Sequence, residues 1–224
     1  MLNSYRAVLF DLDGTLVDHS NAARAGVIAW SQELGIPPDP ARWLALEQQW
    51  FLAYEHGKLT HSGQRAARVR EYLCEPKLSE AAALQLFDGF LHQYIASMQP
   101  FSDAAEVLEQ CFDCGQLVGI ATNGAASLQT TKLRTTGLWD DRLIMLAAVE
   151  MGAAKPNPEF YARALDIVGT SPADTVMVGD SLPNDVLAPI AAGIAAIHVD
   201  HVGTGTADPR YPTIRDLSEL LSAP

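Results

Sequence analysis

Five short apolar runs divide the chain, and each has the length and composition of a buried strand. They cover residues 7–11, 117–122, 143–149, 175–180 and 195–200. Stretches with helical periodicity lie between the last four runs. Because strands that alternate with helices are typical of a parallel sheet covered on both faces, the pattern predicts an α/β fold.

The segment between the first two runs has a different pattern. From residue 20 to residue 99 the apolar positions follow helical spacing, and no strand is convincing. The expected helices are residues 22–34, 41–56, 64–74 and 79–98. About eighty residues are too many for one crossover connection, so this segment is predicted to be an inserted all-helical subdomain. The expected domains are a core of residues 1–18 and 100–224, and an insertion of residues 19–99.

Capping residues mark helix ends in the second half of the chain. Asn157 precedes a proline and an acidic residue, which is typical of a helix start, and Gly169 is placed to end that helix. Another helix is expected to end at Gly115, which follows an apolar periodic stretch. The end of the chain is predicted to hold a loop over residues 203–212 and a short helix over residues 214–221.

Charge and composition narrow the possible functions. The chain has 224 residues, a formal net charge of −12 and 48% hydrophobic residues, enough for a sizeable core. The negative charge argues against general affinity for nucleic acid polymers or anionic membranes, although a local pocket can still bind a small phosphate. There is no secretory pattern at the start and no apolar run of about 18 residues. We therefore expect a cytoplasmic protein without a membrane segment.

Two of the three cysteines form a C-x-x-C pair, Cys111 and Cys114. A redox pair would stand at a helix N-terminus, where the helix dipole lowers the thiol pKa. Here the pair lies at the end of a helical pattern, so we interpret the two thiols as structural. A zinc site would need a second pair of ligands, and no suitable pair is apparent.

Polar residues stand at the carboxyl ends of the predicted strands. They are Asp11 and Asp13 after the first strand, Thr122, Asn123 and Gly124 after the second, Lys155 after the third, and Asp180 and Asp185 after the fourth. In an open parallel sheet, ligands bind at this edge, so residues distant in sequence can converge there. Burying two carboxylates at one strand end is costly unless a cation or a reaction needs them. The first pair therefore indicates a metal-assisted site with an aspartate nucleophile.

In order and spacing, these clusters resemble the motifs of the haloacid dehalogenase (HAD) superfamily. The motifs are D-L-D-G-T-L at residues 11–16, T-N-G at 122–124, K-P-x-P at 155–158 and G-D-S-x-x-x-D at 179–185. The resemblance is close over residues 8–14, 117–124 and 155–200. In the insertion it extends only to position and helical character. It implies a Rossmann-like parallel sheet with helices on both faces, a helical C1-type cap typical of subfamily I, and the phosphatase branch.

The resemblance and the side-chain chemistry together give roles to the acidic residues. Asp11 can act as the nucleophile and form an aspartyl-phosphate, which splits hydrolysis into two steps. Asp13 can protonate the leaving oxygen and then deprotonate the attacking water. Asp11 and Asp180 offer the oxygen ligands that suit Mg²⁺. The resemblance adds the backbone carbonyl of Asp13 as a ligand and places Asp185 in the outer shell of the ion.

Phosphate binding is expected at the next two strand ends. Thr122 offers a hydroxyl, and Asn123 and Gly124 offer backbone N–H groups near a helix start, which is a natural anion site. Lys155 can neutralise both the nucleophile and the transferring phosphoryl group, so Thr122 and Lys155 are also expected to take part in catalysis. Leu12, within the first motif, is counted among the phosphate-binding residues.

The insertion carries residues that could meet an anionic substrate. His19 follows the first motif, and Arg65 and Arg68 lie on an expected helix. For the two arginines the alternative is a solvated helix face. For His19 the alternative is a position that only lines the entrance to the site.

The leading hypothesis is a Mg²⁺-dependent phosphatase acting on a small phosphorylated metabolite. By the resemblance, 2-haloacid dehalogenases use the same aspartate without a metal and lack an acid at the position of Asp13, since no alkoxide leaves. Asp13, Asp180 and Asp185 therefore argue against that branch. A phosphomutase of the β-phosphoglucomutase type has a similar first motif and stays open.

Two further alternatives have weaker support. Phosphonate cleavage needs a Schiff-base lysine in the cap, and Lys58 and Lys77, the lysines of the insertion, lack a supporting context. A non-catalytic phosphate-binding module would be free to lose its nucleophile or its metal-binding acids. This chain has kept all of them, which favours an enzyme.

Overall fold

The computed structural model describes residues 1–203 and 208–221. Its strands within these residues are β1 (Ala7–Phe10), β2 (Leu117–Thr122), β3 (Ile144–Ala147), β4 (Thr175–Gly179), β5 (Ala195–Val199) and β6 (Thr213–Ile214). They form one parallel sheet in the order β3-β2-β1-β4-β5-β6. The parallel α/β sheet predicted from the sequence is therefore confirmed.

Helices account for most of the remaining chain. The insertion contains α1 (His19–Glu33), α2 (Pro40–Glu55), α3 (His61–Tyr72) and α4 (Glu80–Ala96). The flanking parts contain α5 (Ala104–Asp113), α6 (Ala126–Thr135), α7 (Ala148–Met151), α8 (Pro158–Val168) and α9 (Ala188–Ala191). None of the helices that the structure describes is long and apolar enough to cross a membrane.

The structure differs from the predicted elements at two main places. The third predicted strand is shorter than residues 143–149, because the chain turns into α7 at Ala148. The predicted helix over residues 214–221 is wrong at its start, where the two-residue β6 precedes a 3-10 helix over Leu217–Leu220. Part of the loop predicted over residues 203–212 lies outside the described residues.

The register of β1 determines where the polar residues after the strands meet. All four residues of β1 are fully buried, and Phe10 pairs with Ile120 of β2 and with Val178 of β4. The three strands therefore end at nearly the same level. Because they are parallel, the polar residues that follow them emerge together at one edge.

The helix caps expected around α8 are confirmed. The side chain of Asn157 accepts a hydrogen bond from the Glu159 N–H at 3.0 Å, and Gly169 ends the helix in the left-handed conformation with φ 72°. The apolar face of α8 is buried among residues of the sheet, including Leu9 and Met177. These contacts fix α8 against the sheet.

The C-x-x-C pair lies at the end of α5, as the sequence pattern indicated. Cys111 is buried in the last turn and Cys114 is the exposed residue that ends the helix. Burial raises the pKa of the Cys111 thiol to about 12, which keeps the thiol protonated. The structural interpretation of this pair agrees with both observations.

The chain divides into two compact units, Met1–Asp18 with Pro100–Pro224, and His19–Gln99. The second unit has its own aromatic core around Trp43, whose ring lies 4.5 Å from that of Phe90 and 5.3 Å from that of Trp30. Gly26 allows α1 to approach α4, since a Cβ there would lie 2.8 Å from the backbone of Tyr94. Both features stabilise the unit through contacts among its own helices.

A buried ionic network also joins helices of this unit. Arg68 is 3% exposed, and its Nη1 donates to the Glu47 carboxylate at 2.7 Å, while its Nη2 donates to Gln64 at 3.1 Å. His19 Nε2 lies 3.1 Å from the other Glu47 oxygen. Burial alone would raise the pKa of Glu47, but Arg68 and His19 reverse that effect and hold the pKa well below its usual range.

Glu47→Gln should destabilise the protein by about 3 kcal/mol at pH 7, because the variant leaves the Arg68 charge buried without a counter-charge. The measurement is urea unfolding of both proteins, with the exposed Glu75→Gln as a matched control that should unfold like the wild type.

The direction of the pKa shift of Glu47 predicts how the destabilisation by Glu47→Gln changes with pH. Since the folded state depresses the pKa of Glu47, its stabilising effect is complete above the unfolded pKa of about 4.3. That effect is lost as the pH falls through the folded pKa, so the difference between Glu47→Gln and wild type should shrink in acid. Equal unfolding midpoints at pH 7 would contradict the prediction.

Candidate active site

Lys155 joins the ends of three strands through its ammonium group. Its Nζ donates to Asp11 at 2.8 Å, to Asp185 at 2.7 Å and to the Ala121 carbonyl at 2.7 Å. The residue is 2% exposed, so these three acceptors take the place of water. The nucleophile predicted at the end of β1 is therefore held by a charge that follows β3.

The acidic residues at this edge carry an excess of negative charge. Burial raises the pKa of Asp11 to about 7, with Lys155 opposing and Asp185 adding to the shift. Burial and the Asp11 carboxylate likewise raise the pKa of Asp180 to about 7. For Lys155, burial would lower the pKa, but the two carboxylates raise it above its usual range. The site therefore favours an added positive charge.

The donor set at the same place fits a divalent cation. Asp11, Asp180 and Asp185 each have a carboxylate oxygen within 4.8 Å of those of the others. Gly14 has a φ of 94°, and a Cβ there would collide with the Asp180 carboxylate, so this glycine permits the close approach. Hard oxygen donors are the ligands that Mg²⁺ prefers. The residues present therefore fit the expected ion.

Asp185 differs from the other two acids in its bonding. One of its carboxylate oxygens accepts from Lys155, and the other accepts from the Ser181 N–H at 3.0 Å. Its carboxylate is thus engaged by the protein on both sides, which suits a supporting position beside the ligands. Direct binding of the ion by Asp11 and Asp180 stays a prediction.

Thr15 is a member of this site that the sequence analysis did not single out, although it lies within the first motif. Its hydroxyl oxygen accepts a hydrogen bond from the Asp180 N–H at 3.1 Å. The same oxygen lies 3.3 Å from Asp11 Oδ2 and 3.5 Å from Asp180 Oδ1. The fully buried Thr15 thereby ties the ends of β1 and β4 together.

The turn after β2 holds the residues expected to bind phosphate. Thr122 is 2% exposed, and its hydroxyl oxygen accepts from the Gly124 N–H at 3.1 Å and from the Gln129 amide. Because that oxygen already accepts two hydrogen bonds, its hydroxyl hydrogen is the part of the group that can still make a hydrogen bond. Phosphate binding by the Gly124 N–H stays a prediction, and it would require this group to leave Thr122.

The side chain of Asn123 contacts the backbone of Lys155, and the phosphate contact expected of the Asn123 backbone N–H stays a prediction. Its amide N donates to the Lys155 carbonyl at 2.8 Å, and its amide O accepts from the Lys155 N–H at 2.7 Å. This pair of bonds fixes the backbone from which Lys155 extends.

Leu12, which was also expected to contact phosphate, is fully buried. Its side chain is apolar, so only its backbone is suited to a phosphate contact.

The carboxylate of Asp13 is bound by two side chains of α6. Lys132 Nζ lies 2.6 Å from each Asp13 oxygen, and Gln129 Nε2 donates to Oδ2 at 3.0 Å. Both α6 residues are buried. The sequence analysis missed them. A signal was present, because the two long polar residues are three positions apart and next to Leu133, which is typical of a helix face that contacts polar groups.

The residues expected to contact substrate from the insertion lie in different environments. A solvated face is wrong for Arg68, because Glu47 on the neighbouring helix supplies a buried counter-charge. A substrate contact by Arg68 would require this pair to break. His19 has hydrogen-bonding partners at both ring nitrogens, Glu47 and the Tyr94 hydroxyl at 2.7 Å. Arg65 is half-buried, with its guanidinium carbon 5.2 Å from the centre of the Phe87 ring.

Comparison with known proteins identifies the family. The family model for haloacid dehalogenase-like hydrolases matches residues 5–193. The ribulose-1,5-bisphosphate 5-phosphatase of Halopiger xanaduensis is 29% identical over 205 residues, which cover 87% of this chain and 84% of that protein.

Two solved structures are similar over nearly the whole chain. YfnB from Bacillus subtilis, described as a HAD-hydrolase bound to magnesium, is 25% identical with a TM-score of 0.85, and the match covers 96% of both chains. A 2-haloacid dehalogenase from Pseudomonas syringae pv. Tomato DC3000 is 27% identical with a TM-score of 0.70, again covering 96% of both chains. Since the family model also spans most of the sequence, the chain belongs to the haloacid dehalogenase-like hydrolase family.

Proposed function

We propose that this protein is a Mg²⁺-dependent phosphatase that hydrolyses a small phosphorylated metabolite through an aspartyl-phosphate. One observation carries the proposal. A second carboxylate, that of Asp13, accompanies the buried and Lys155-bound Asp11 at the same strand end. Hydrolysis of a phosphate ester needs both a nucleophile and a proton donor for the leaving oxygen, and this pair supplies them.

In the first step a carboxylate oxygen of Asp11 attacks phosphorus, and the bond to the ester oxygen breaks. Asp13 gives its proton to the leaving alkoxide, so the alcohol departs neutral. Lys155 offsets negative charge on Asp11 and on the phosphoryl oxygens, while Thr122 can donate its hydroxyl hydrogen to one of those oxygens. When bound, Mg²⁺ would be held by Asp11, Asp180 and the Asp13 carbonyl and would neutralise charge on the phosphoryl group.

In the second step Asp13 works in the opposite direction. Its carboxylate takes a proton from the attacking water, and the bond between phosphorus and the Asp11 oxygen breaks. Inorganic phosphate leaves, and both aspartates return to their starting forms. The same residue therefore acts as the acid and then as the base.

Dehalogenation is the alternative that the structural comparison raises. Attack of an aspartate on carbon expels a halide, which needs neither a proton donor nor a cation beside the nucleophile. In that reaction Asp13 would have no leaving oxygen to protonate, and the capacity of Asp180 to bind a metal ion would not be needed. Their positions next to Asp11 favour phosphate-ester hydrolysis, and the phosphatase among the relatives supports the same choice.

The substrate is proposed as a class, a small phosphate monoester rather than a nucleic acid polymer. We propose that the insertion of residues 19–99, the counterpart of a C1-type cap, selects among such esters. A panel of phosphorylated metabolites assayed for inorganic phosphate tests this. A phosphomutase would instead convert a sugar phosphate to its isomer without stoichiometric phosphate release.

Asp11→Asn should reduce turnover of p-nitrophenyl phosphate to the background rate, because the amide is a poor nucleophile. Asp13→Asn should lower kcat by about 10² to 10⁴-fold, the usual contribution of a general acid–base group. The measurement is steady-state kinetics with Mg²⁺, and circular dichroism melting checks the fold. The exposed Asp166→Asn is the control and should keep wild-type rates. Retained turnover in Asp11→Asn would overturn the aspartyl-phosphate mechanism.

Removal of divalent metal with EDTA should abolish turnover, and added Mg²⁺ should restore it. Asp180→Asn should raise the Mg²⁺ concentration needed for half-maximal rate by about 10-fold or more, since one hard oxygen ligand is weakened. A Mg²⁺ titration of wild type, Asp180→Asn and Asp166→Asn measures this. The same samples should release no chloride from 2-chloropropionate. Full turnover in EDTA, or chloride release, would refute the proposal.

A further inference from the structure

One face of α6 carries two buried polar side chains that lie outside the four motifs. Gln129 and Lys132 are three positions apart and therefore neighbours on the helix surface. They are 1% and 3% exposed, whereas long polar side chains normally remain in water. Burial of this kind is costly unless each group has well-placed partners. Both find partners among the residues proposed to carry out the chemistry.

Lys132 fixes the position of the Asp13 carboxylate. Its Nζ lies at the same distance, 2.6 Å, from both carboxylate oxygens. This charge-assisted contact restrains where the carboxylate lies, and the contact of Gln129 with Oδ2 alone restrains its rotation. A carboxylate with a single partner could still turn about its terminal bond.

Gln129 links Asp13 to Thr122. The two hydrogens of its Nε2 serve two acceptors, the Asp13 carboxylate at 3.0 Å and the Thr122 hydroxyl oxygen. One planar amide therefore sets the spacing between the acid and the phosphate-binding hydroxyl. Gly124 makes room for it, because a Cβ there would lie 2.7 Å from Gln129 Nε2.

We propose that Lys132 and Gln129 are positioning residues, which hold the Asp13 carboxylate and the Thr122 hydroxyl in the orientation that phosphoryl transfer requires. The inference rests on the proposed function of this site. Neither residue is assigned a contact with the reacting atoms. Their effect is to keep the proton donor aimed at the leaving oxygen, and a misplacement of about 1 Å can cost about 10²-fold in rate.

The test compares two substrates that differ in their need for a proton donor. p-Nitrophenoxide leaves readily as an anion, whereas the more basic phenoxide of phenyl phosphate depends on protonation. Lys132→Met keeps the length of the side chain and removes the charge. It should lower kcat/KM for phenyl phosphate by about 10-fold or more and for p-nitrophenyl phosphate by less than about 3-fold.

Matched variants separate positioning from stability. Arg134→Met removes a charge from an exposed position of the same helix and should leave both values unchanged. Lys132→Arg restores the charge and should recover part of the loss with phenyl phosphate. Gln129→Met should lower kcat/KM for both substrates, because Thr122 serves the phosphate that they share, and should lower it further for phenyl phosphate, because the Asp13 carboxylate also loses a partner.

The outcomes are decisive in both directions. A loss confined to phenyl phosphate in Lys132→Met supports the inference, and equal losses on both substrates, or none, overturn it.

A crystal structure of Lys132→Met gives a readout that needs no turnover. Displacement of the Asp13 carboxylate supports the inference and an unchanged carboxylate overturns it. A wild-type protein inactive on every phosphate ester would refute the proposed function, and the position of Asp13 in the variant would still decide this inference.

Discussion

The buried ammonium of Lys155 is the interaction on which the site depends. It stands where three strands end, and its three acceptors come from β1, β2 and the segment after β4. Charges taken out of water are stable only when partners of the opposite sign surround them closely. Lys155 satisfies that condition for Asp11 and Asp185 at once, and Asn123 fixes the backbone that carries it. Without Lys155, the carboxylates at this edge would repel each other at short range.

The formal charges of the side chains at this edge do not balance. Among the described residues at this edge, four carboxylates face two ammonium groups. They are Asp11, Asp13, Asp180 and Asp185 on one side, and Lys132 and Lys155 on the other. Burial raises the pKa values of Asp11 and Asp180, and repulsion from neighbouring carboxylates adds to both shifts. A divalent cation would neutralise the excess negative charge, and a phosphate dianion would then enter a site without net repulsion.

The sequence revealed those parts of the site that depend on local pattern. Asp11 and Asp180 directly follow buried strands, and parallel strands bring such positions to one edge whatever lies between them in sequence. The residues that were missed depend on contacts between separate elements. Lys132 and Gln129 are recognisable only when α6 is known to face the end of β1. The burial of Arg68 likewise depends on Glu47, which another helix supplies, and β6 is too short to give a periodic signal.

The position of the helical insertion between β1 and β2 has a consequence for how the chain can assemble. Ala7 of β1 pairs with Leu117 of β2 and with Thr175 of β4, so contacts within the sheet join residues that are far apart in sequence. The strand β1 has no neighbours until those later segments have been made. The four helices of the insertion contact one another over much shorter separations, and their shared aromatic core includes Trp43. Short-range contacts form earlier because closing a small loop costs less entropy. During synthesis, the helices of the insertion therefore have one another as partners while β1, which precedes Asp11 and Asp13, is still unpaired.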